Sequence, residues 1–163
     1  MKKNLSVKMF LMMMTLVSLS LSSCVSGYPV NVAKNEKLKL NLIKVEARSQ
    51  VDESLIREMK PDQEIFGNNG EYLDFRISLI DSEGKPAVGK NLIWRTVGDN
   101  NTQIQKTDKL GVVVFWEPVG ALPNSISTRK SQWGPMQNDM EVKAFVSLYK
   151  TDLKIKIPVK LYK

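Results

Sequence analysis

"LDFRISL", Leu73 to Leu79, decides the fold class. Leu73, Phe75, Ile77 and Leu79 alternate with Asp74, Arg76 and Ser78. Successive side chains of a strand point to opposite faces, so this spacing makes one apolar and one polar face; on a helix the same residues would scatter round the axis. The stretch is predicted as a half-buried strand. Downstream, Met140, Val142, Ala144, Val146 and Leu148 repeat the pattern. So do Leu153, Ile155, Ile157, Val159 and Leu161, with Lys154, Lys156 and Lys160 on the other phase. Pro158 shares that outward phase, which suits an edge strand, where its missing N–H costs little and lysines discourage stray pairing.

Shorter apolar strands are expected at Leu92–Val97 and Gly111–Trp116. Upstream, Lys37 to Leu42 alternates, and Ile43 to Ala47 alternates in the opposite phase. A slip of one residue predicts a β-bulge. Ser49 to Asp52 resembles a helix start, with Val51, Leu55, Ile56 and Met59 roughly on one face and Pro61 as the stop. The expectation is an all-β, single antiparallel sandwich of about seven strands with one short helix, spanning 36–163.

Two turn motifs separate the strands. In "DSEGKPAVGKNLIW", Asp81 to Trp94, Asp81 and Gly84 suit a tight reversal and Pro86 presets its exit. In "TDKLGVVVF", Thr107 to Phe115, Asp108 and Gly111 do the same. Together these segments resemble bacterial Ig-like domains of the invasin type; a similar pattern occurs in transthyretin-like and carboxypeptidase-regulatory-like domains. The resemblance implies an Ig-like, Greek-key sandwich with Trp94 in the core of an early strand, but without the paired cysteines of immunoglobulins. It implies no single function, since such folds serve as adhesins, carriers, assembly subunits and spacers.

At the N-terminus, Lys2, Lys3 and Lys8 precede the apolar run Met9 to Met14 with Leu16 and Val17, and serines follow. That run is shorter than the roughly 20 residues needed to cross a bilayer, and it matches the core of a secretory signal, with a retained anchor as the alternative. Leu21-Ser22-Ser23-Cys24 contains the chain's only cysteine. The stretch resembles a bacterial lipobox, which implies a leader over 1–23, a diacylglyceryl thioether on Cys24 and a tether over 24–35. Acyl chains then attach the chain to a membrane. Val25 is not the aspartate associated with inner-membrane retention, so the resemblance leans to the outer membrane if the cell is Gram-negative. Loss of residues 1–23 removes three lysines and no acid, so a net charge of +7 falls to +4. A surplus that modest, without a basic cluster interleaved with aromatics, gives no support to a nucleic-acid partner.

Histidine is absent from the chain. That removes imidazole acid–base chemistry, and lipidation of Cys24 removes the thiol, so triads and zinc sets have no ligands to use. Asp52, Glu53 and Glu58, or Asp62 and Glu64, could pair as hydrolase carboxylates, but read better as a solvated face. Asp81, Glu83, Asp99 and Asp108 could gather round calcium, yet lack a regular ligand spacing, and turn formation accounts for Asp81 and Asp108. No enzyme activity, cofactor, metal or small-molecule substrate is expected.

The segment 117–139 is longer than a simple hairpin loop and holds Arg129, Lys130, Trp133 and Met136 among prolines and glycines. Those residue types are enriched at protein interfaces. The other reading makes 126–129 a further strand and Trp133 a lid on the core. The expected function is a membrane-tethered module that binds another envelope protein; the alternative is an inhibitor or immunity-type lipoprotein that blocks a toxin or hydrolase. Metabolic labelling with palmitate is expected to mark the wild-type chain and to be lost in Cys24→Ala; unchanged labelling would refute the lipobox.

Overall fold

The computed structural model describes residues 37–97, 102–120 and 138–163. Nine strands lie in them: β1 (Lys39–Ser49), β2 (Leu55–Met59), β3 (Phe66–Asn68), β4 (Glu71–Ile80), β5 (Asn91–Thr96), β6 (Thr102–Lys106), β7 (Val112–Val119), β8 (Met140–Leu148) and β9 (Lys154–Tyr162). One sheet has the order β2-β1-β4-β7 and the other β3-β9-β8-β5-β6. All pairings are antiparallel except β3 with β9. The architecture is all-β, with two sheets sharing one core, compatible with a β-sandwich.

The alternation at Leu73–Leu79 forms β4, whose Leu73, Phe75, Ile77 and Leu79 are fully buried. The phase slip in β1 is a bulge: Leu42 pairs with Ile77 and Lys44 with Arg76, leaving Ile43 unpaired and 41% exposed. That extra residue restores Val45 and Ala47 to the core side. Pro158 pairs with Lys143 of β8 on one flank, while β3 covers only Lys160 to Tyr162 on the other. Lys160 donates its N–H outward to Ile65 O, so the nitrogen of Pro158, two residues earlier, also points to the open edge.

The expected helix is not formed, and Leu55–Met59 is strand β2 instead. Short polar side chains decide this by bonding the backbone of a turn. Ser49 Oγ accepts from Val51 N, Asp52 Oδ1 accepts from Ser54 N, and Glu53 takes a φ of 61°. Ser and Asp used this way stabilise turns at the expense of helix. The helical spacing of apolar residues was misleading, because Leu55 and Ile56 are exposed whereas Arg57 and Met59 face inward. Arg57 is tolerated there by a two-oxygen pairing with Glu71, a hydrogen bond to Phe66 O and a seat over the Phe66 ring. β6 was also missed: its Gln103 and Gln105 occupy the inward phase and hide the pattern.

The two turn motifs are corners at which the chain changes sheet. β4 passes to β5 through 81–90, and β6 returns to β7 through 107–111. Asp81 Oδ1 accepts from the amides of Glu83 and Lys85, and Asp108 Oδ1 from those of Leu110 and Val112, at 2.8–2.9 Å. The corners also clasp each other. Buried Thr107 donates its hydroxyl to Ala87 O (2.6 Å) and accepts from Lys90 N (3.0 Å). Gly111 packs flat against the other corner at φ +70°; a Cβ there would lie 2.7 Å from Leu79 O and 3.1 Å from Ala87 N.

Gly111→Ala should therefore destabilise the domain by about 2–4 kcal/mol, combining backbone strain with displacement of the facing corner. Gly84→Ala, where a Cβ meets nothing within 4 Å, should cost only the strain, about 1 kcal/mol. Urea unfolding midpoints of the two variants check the order; equal losses would remove the steric component.

Candidate functional site

Cys24, Asp99, Arg129, Lys130, Trp133 and Met136 lie outside the described residues, as do the leader 1–23 and the tether 24–35. Of the segment 117–139, Glu117 to Val119 belong to β7, and Asp139 accepts from the backbone N–H of Lys163. Three of the acids considered for hydrolysis are engaged by neighbouring side chains. Asp52 shapes its turn, Glu58 binds Lys44, and Glu64 binds Lys160. Asp81 and Asp108 each spend one carboxylate oxygen on two backbone amides. Among the described residues, no three His, Cys, Asp or Glu side chains are placed to hold a metal ion.

What the fold does build is an asymmetry between its two lateral seams. Along one seam, the free flank of β6 lies near that of β7. Gln103 stitches these edges together, donating Nε2 to Trp116 O (2.6 Å) and accepting from Trp116 N. Its side-chain amide thus occupies backbone groups that an additional strand would otherwise use.

Along the other seam, β1 and β9 are open among the described residues. There β2 pairs only with Val45 to Arg48, so Lys39 to Lys44 have no described neighbour on that flank. β3 pairs only with the end of β9, so Lys154 to Val159 have none either. Between these edges runs a groove of about 590 Å³, lined by Leu40, Leu42, Ile155 and Ile157 and closed at one end by the crossover through Pro61, Gln63 and Glu64. The apolar lining follows from the sequence, since Leu40, Ile155 and Ile157 carry the inward phase of their strands. Sequence reading marked β9 as an edge through Pro158, but the vacancy beside β1 depends on where β2 ends. No local signal encodes that.

Glu64 and Glu141 both reach the groove, which raises the two-carboxylate chemistry again. Glu64, however, accepts from Lys160 Nζ and from the Tyr162 hydroxyl (3.3 Å), and Lys160 holds its carboxyl below the usual range. A glycosidase acid must keep its proton near neutral pH, which requires the opposite shift. Leu40, Leu42, Ile65, Ile155 and Ile157 supply the apolar surface of the groove.

The outer face of the β2-β1-β4-β7 sheet carries a linked set of ion pairs beside Lys39 and Arg76 of the same phase. Lys44 bridges Glu46 and Glu58, and Arg48 bridges Glu46 and Asp74. Lys44, then Arg48, pull the Glu46 carboxyl from 4.5 down to about 2. No family model matches the chain, and no curated protein matches it either.

Because the Glu46 pKa is lower folded than unfolded, its ionisation adds stability above about pH 4.5 that is lost as pH falls toward about 2. Glu46→Gln should flatten the fall in urea midpoint across that interval, at the cost of lower stability at pH 7. A wild-type slope retained in the variant would assign the acid sensitivity to other carboxylates.

Proposed function

We propose that this chain is a lipid-anchored envelope module of the Ig-like class that binds another envelope protein and performs no catalysis. The Ig-like assignment is supported by strand order. With β2 and β3 set aside, β1-β4-β7 faces β9-β8-β5-β6; this is the arrangement of an Ig sandwich that lacks its D strand and carries an added C′ strand. The corner motifs fall between the fourth and fifth and between the sixth and seventh strands.

One observation carries the binding reading: the open β1–β9 seam with its apolar groove. An unpaired strand edge is a template for strand addition, in which main-chain hydrogen bonds supply affinity and adjoining apolar pockets supply specificity. Lys154 and Lys156 direct their backbone N–H groups outward, in phase with Lys160, while Pro158 offers only a carbonyl. A partner strand therefore has two donors available and one gap, which fixes its register. Cys24 lipidation and the tether hold the domain at the membrane, and Arg129, Lys130, Trp133 and Met136 are proposed as a second contact on the strength of their residue types.

The test separates the two contacts. Lys156→Pro deletes an outward donor while leaving the inward phase untouched, and should reduce cross-linked partner recovered from the native envelope on the order of tenfold, with a melting temperature near wild type. Trp133→Ala with Arg129→Ala should reduce the same capture if the second contact exists. Undiminished capture in both variants would refute the proposal.

A further inference from the structure

The outer face of the β3-β9-β8-β5-β6 sheet differs in charge from every other surface of the domain. Arg95, Lys106, Lys143, Lys154, Lys156 and Lys160 all occupy its outward phase and are exposed. Opposed to these six cations on the same face is one carboxylate, Glu141, directly across from Lys160. Lys160 is also bound by Glu64 from the crossover; the other five have no acid partner among the described residues. Elsewhere, the described residues carry twelve cations against fourteen carboxylates. The positive surplus of the described chain therefore resides on this one face. The opposite sheet shows the contrast, with Lys44 and Arg48 consumed by Glu46, Glu58 and Asp74.

The cations are spread across four strands, and partly buried apolar side chains separate them. Phe145 lies between Lys156 and Arg95 in the cross-strand register, and Ile93 faces Ile104 on the neighbouring strand. Such a surface matches a broad, laterally mobile array of negative charge better than a single anion, which needs convergent donors. The first described strand, β1, flanks this sheet across the lateral groove. Leu40, three residues after the first described position, lines the groove shared with Ile155 and Ile157 of β9.

We propose that this sheet face rests on an anionic lipid surface, acting as a second membrane contact beside the acyl chains. This rests on the reading of Cys24 as a lipidated anchor, whose tether of about a dozen residues reaches at most roughly 40 Å. A tether of that length lets the face approach the leaflet to within the screening length of about 10 Å, over which the surface field acts and each basic residue adds to the attraction. The open β1–β9 edge then lies to the side, parallel to the bilayer, and stays available to a partner strand.

The experiment uses the intact lipoprotein reconstituted into vesicles of phosphatidylcholine alone or with about 30% phosphatidylglycerol. An amine-acylating reagent is applied, and modification of Lys143 and Lys156 is compared with that of Lys44 on the opposite face. Acylation of Lys143 and Lys156 should slow roughly fivefold or more on the anionic vesicles, and the protection should vanish in about 0.5 M salt, where the screening length is a few ångströms. Lys44 should not change between the two lipids. In Lys143→Glu with Lys156→Glu, which leaves the inward phase intact, protection of Lys154 should be lost. Equal rates on both lipids, or equal protection of Lys44, would overturn the proposal. So would protection that an acidic envelope protein confers and lipid does not, assigning the face to that partner instead. Failure of the anchor reading is separate: an unlipidated chain does not float with neutral vesicles at all, whereas a lipidated chain with an idle face floats equally with both.

Discussion

The indole of Trp94 holds the two sheets in fixed relation. It extends from β5 into the facing sheet, with ring centroids 4.5 Å from Phe75 of β4 and 5.7 Å from Phe115 of β7. Its Nε1–H donates to Glu117 Oε2 (3.1 Å), which also accepts the Thr96 hydroxyl (2.8 Å). Three large rings supply the area burial that a chain with one cysteine cannot replace with disulfides. The hydrogen bond adds direction, because a slip of β5 by one residue would turn the indole outward and strand the carboxylate. Strand register and intersheet register are thereby set by one side chain.

The corner clasp completes that constraint. The chain changes sheet at 81–90 and 107–111, and Thr107 and Gly111 lock these corners to each other. This gives a physical meaning to the turn motifs: each aspartate organises its own loop, while the threonine before the second and the glycine after it join the two. The local half of this was legible in sequence, since Asx turns depend on neighbours. The contact between corners was not, because it couples residues some twenty apart through backbone atoms that no side-chain pattern displays.

The same division explains what else sequence revealed. Alternation disclosed β4, β8 and β9, and the bulge in β1, since each is a local consequence of burying one face. β2 was misread because its buried positions are filled by Arg57 and Met59, an ion pair and a thioether standing where aliphatics were expected. β6 was missed because glutamine faces inward to serve the neighbouring edge. In both strands a polar side chain completes a long-range hydrogen-bond arrangement, and binary patterning assumes that inward means apolar. The groove was invisible for a related reason: it is defined by where β2 and β3 stop, not by any residue within it.

These departures share a direction. Gln103 closes the β6–β7 seam and the Lys44–Glu46–Arg48 system links charges on one outer face, and among the described residues nothing comparable covers the β1–β9 seam or the basic outer face of the other sheet. A domain with no need for contacts gains by blunting each exposed edge and dispersing its charge. Here the protective devices sit on one flank and one face, leaving the open edge and the cationic surface adjacent along β9. That strand holds Lys154, Lys156 and Lys160 toward the sheet exterior and Ile155 and Ile157 toward the groove. Its alternation serves both surfaces at once, and they meet where Lys156, Pro158 and Lys160 also line the groove. Lys154, on the outward phase and away from the groove lining, and Ile155, on the inward phase and within it, are the neighbours that divide charge from groove most cleanly.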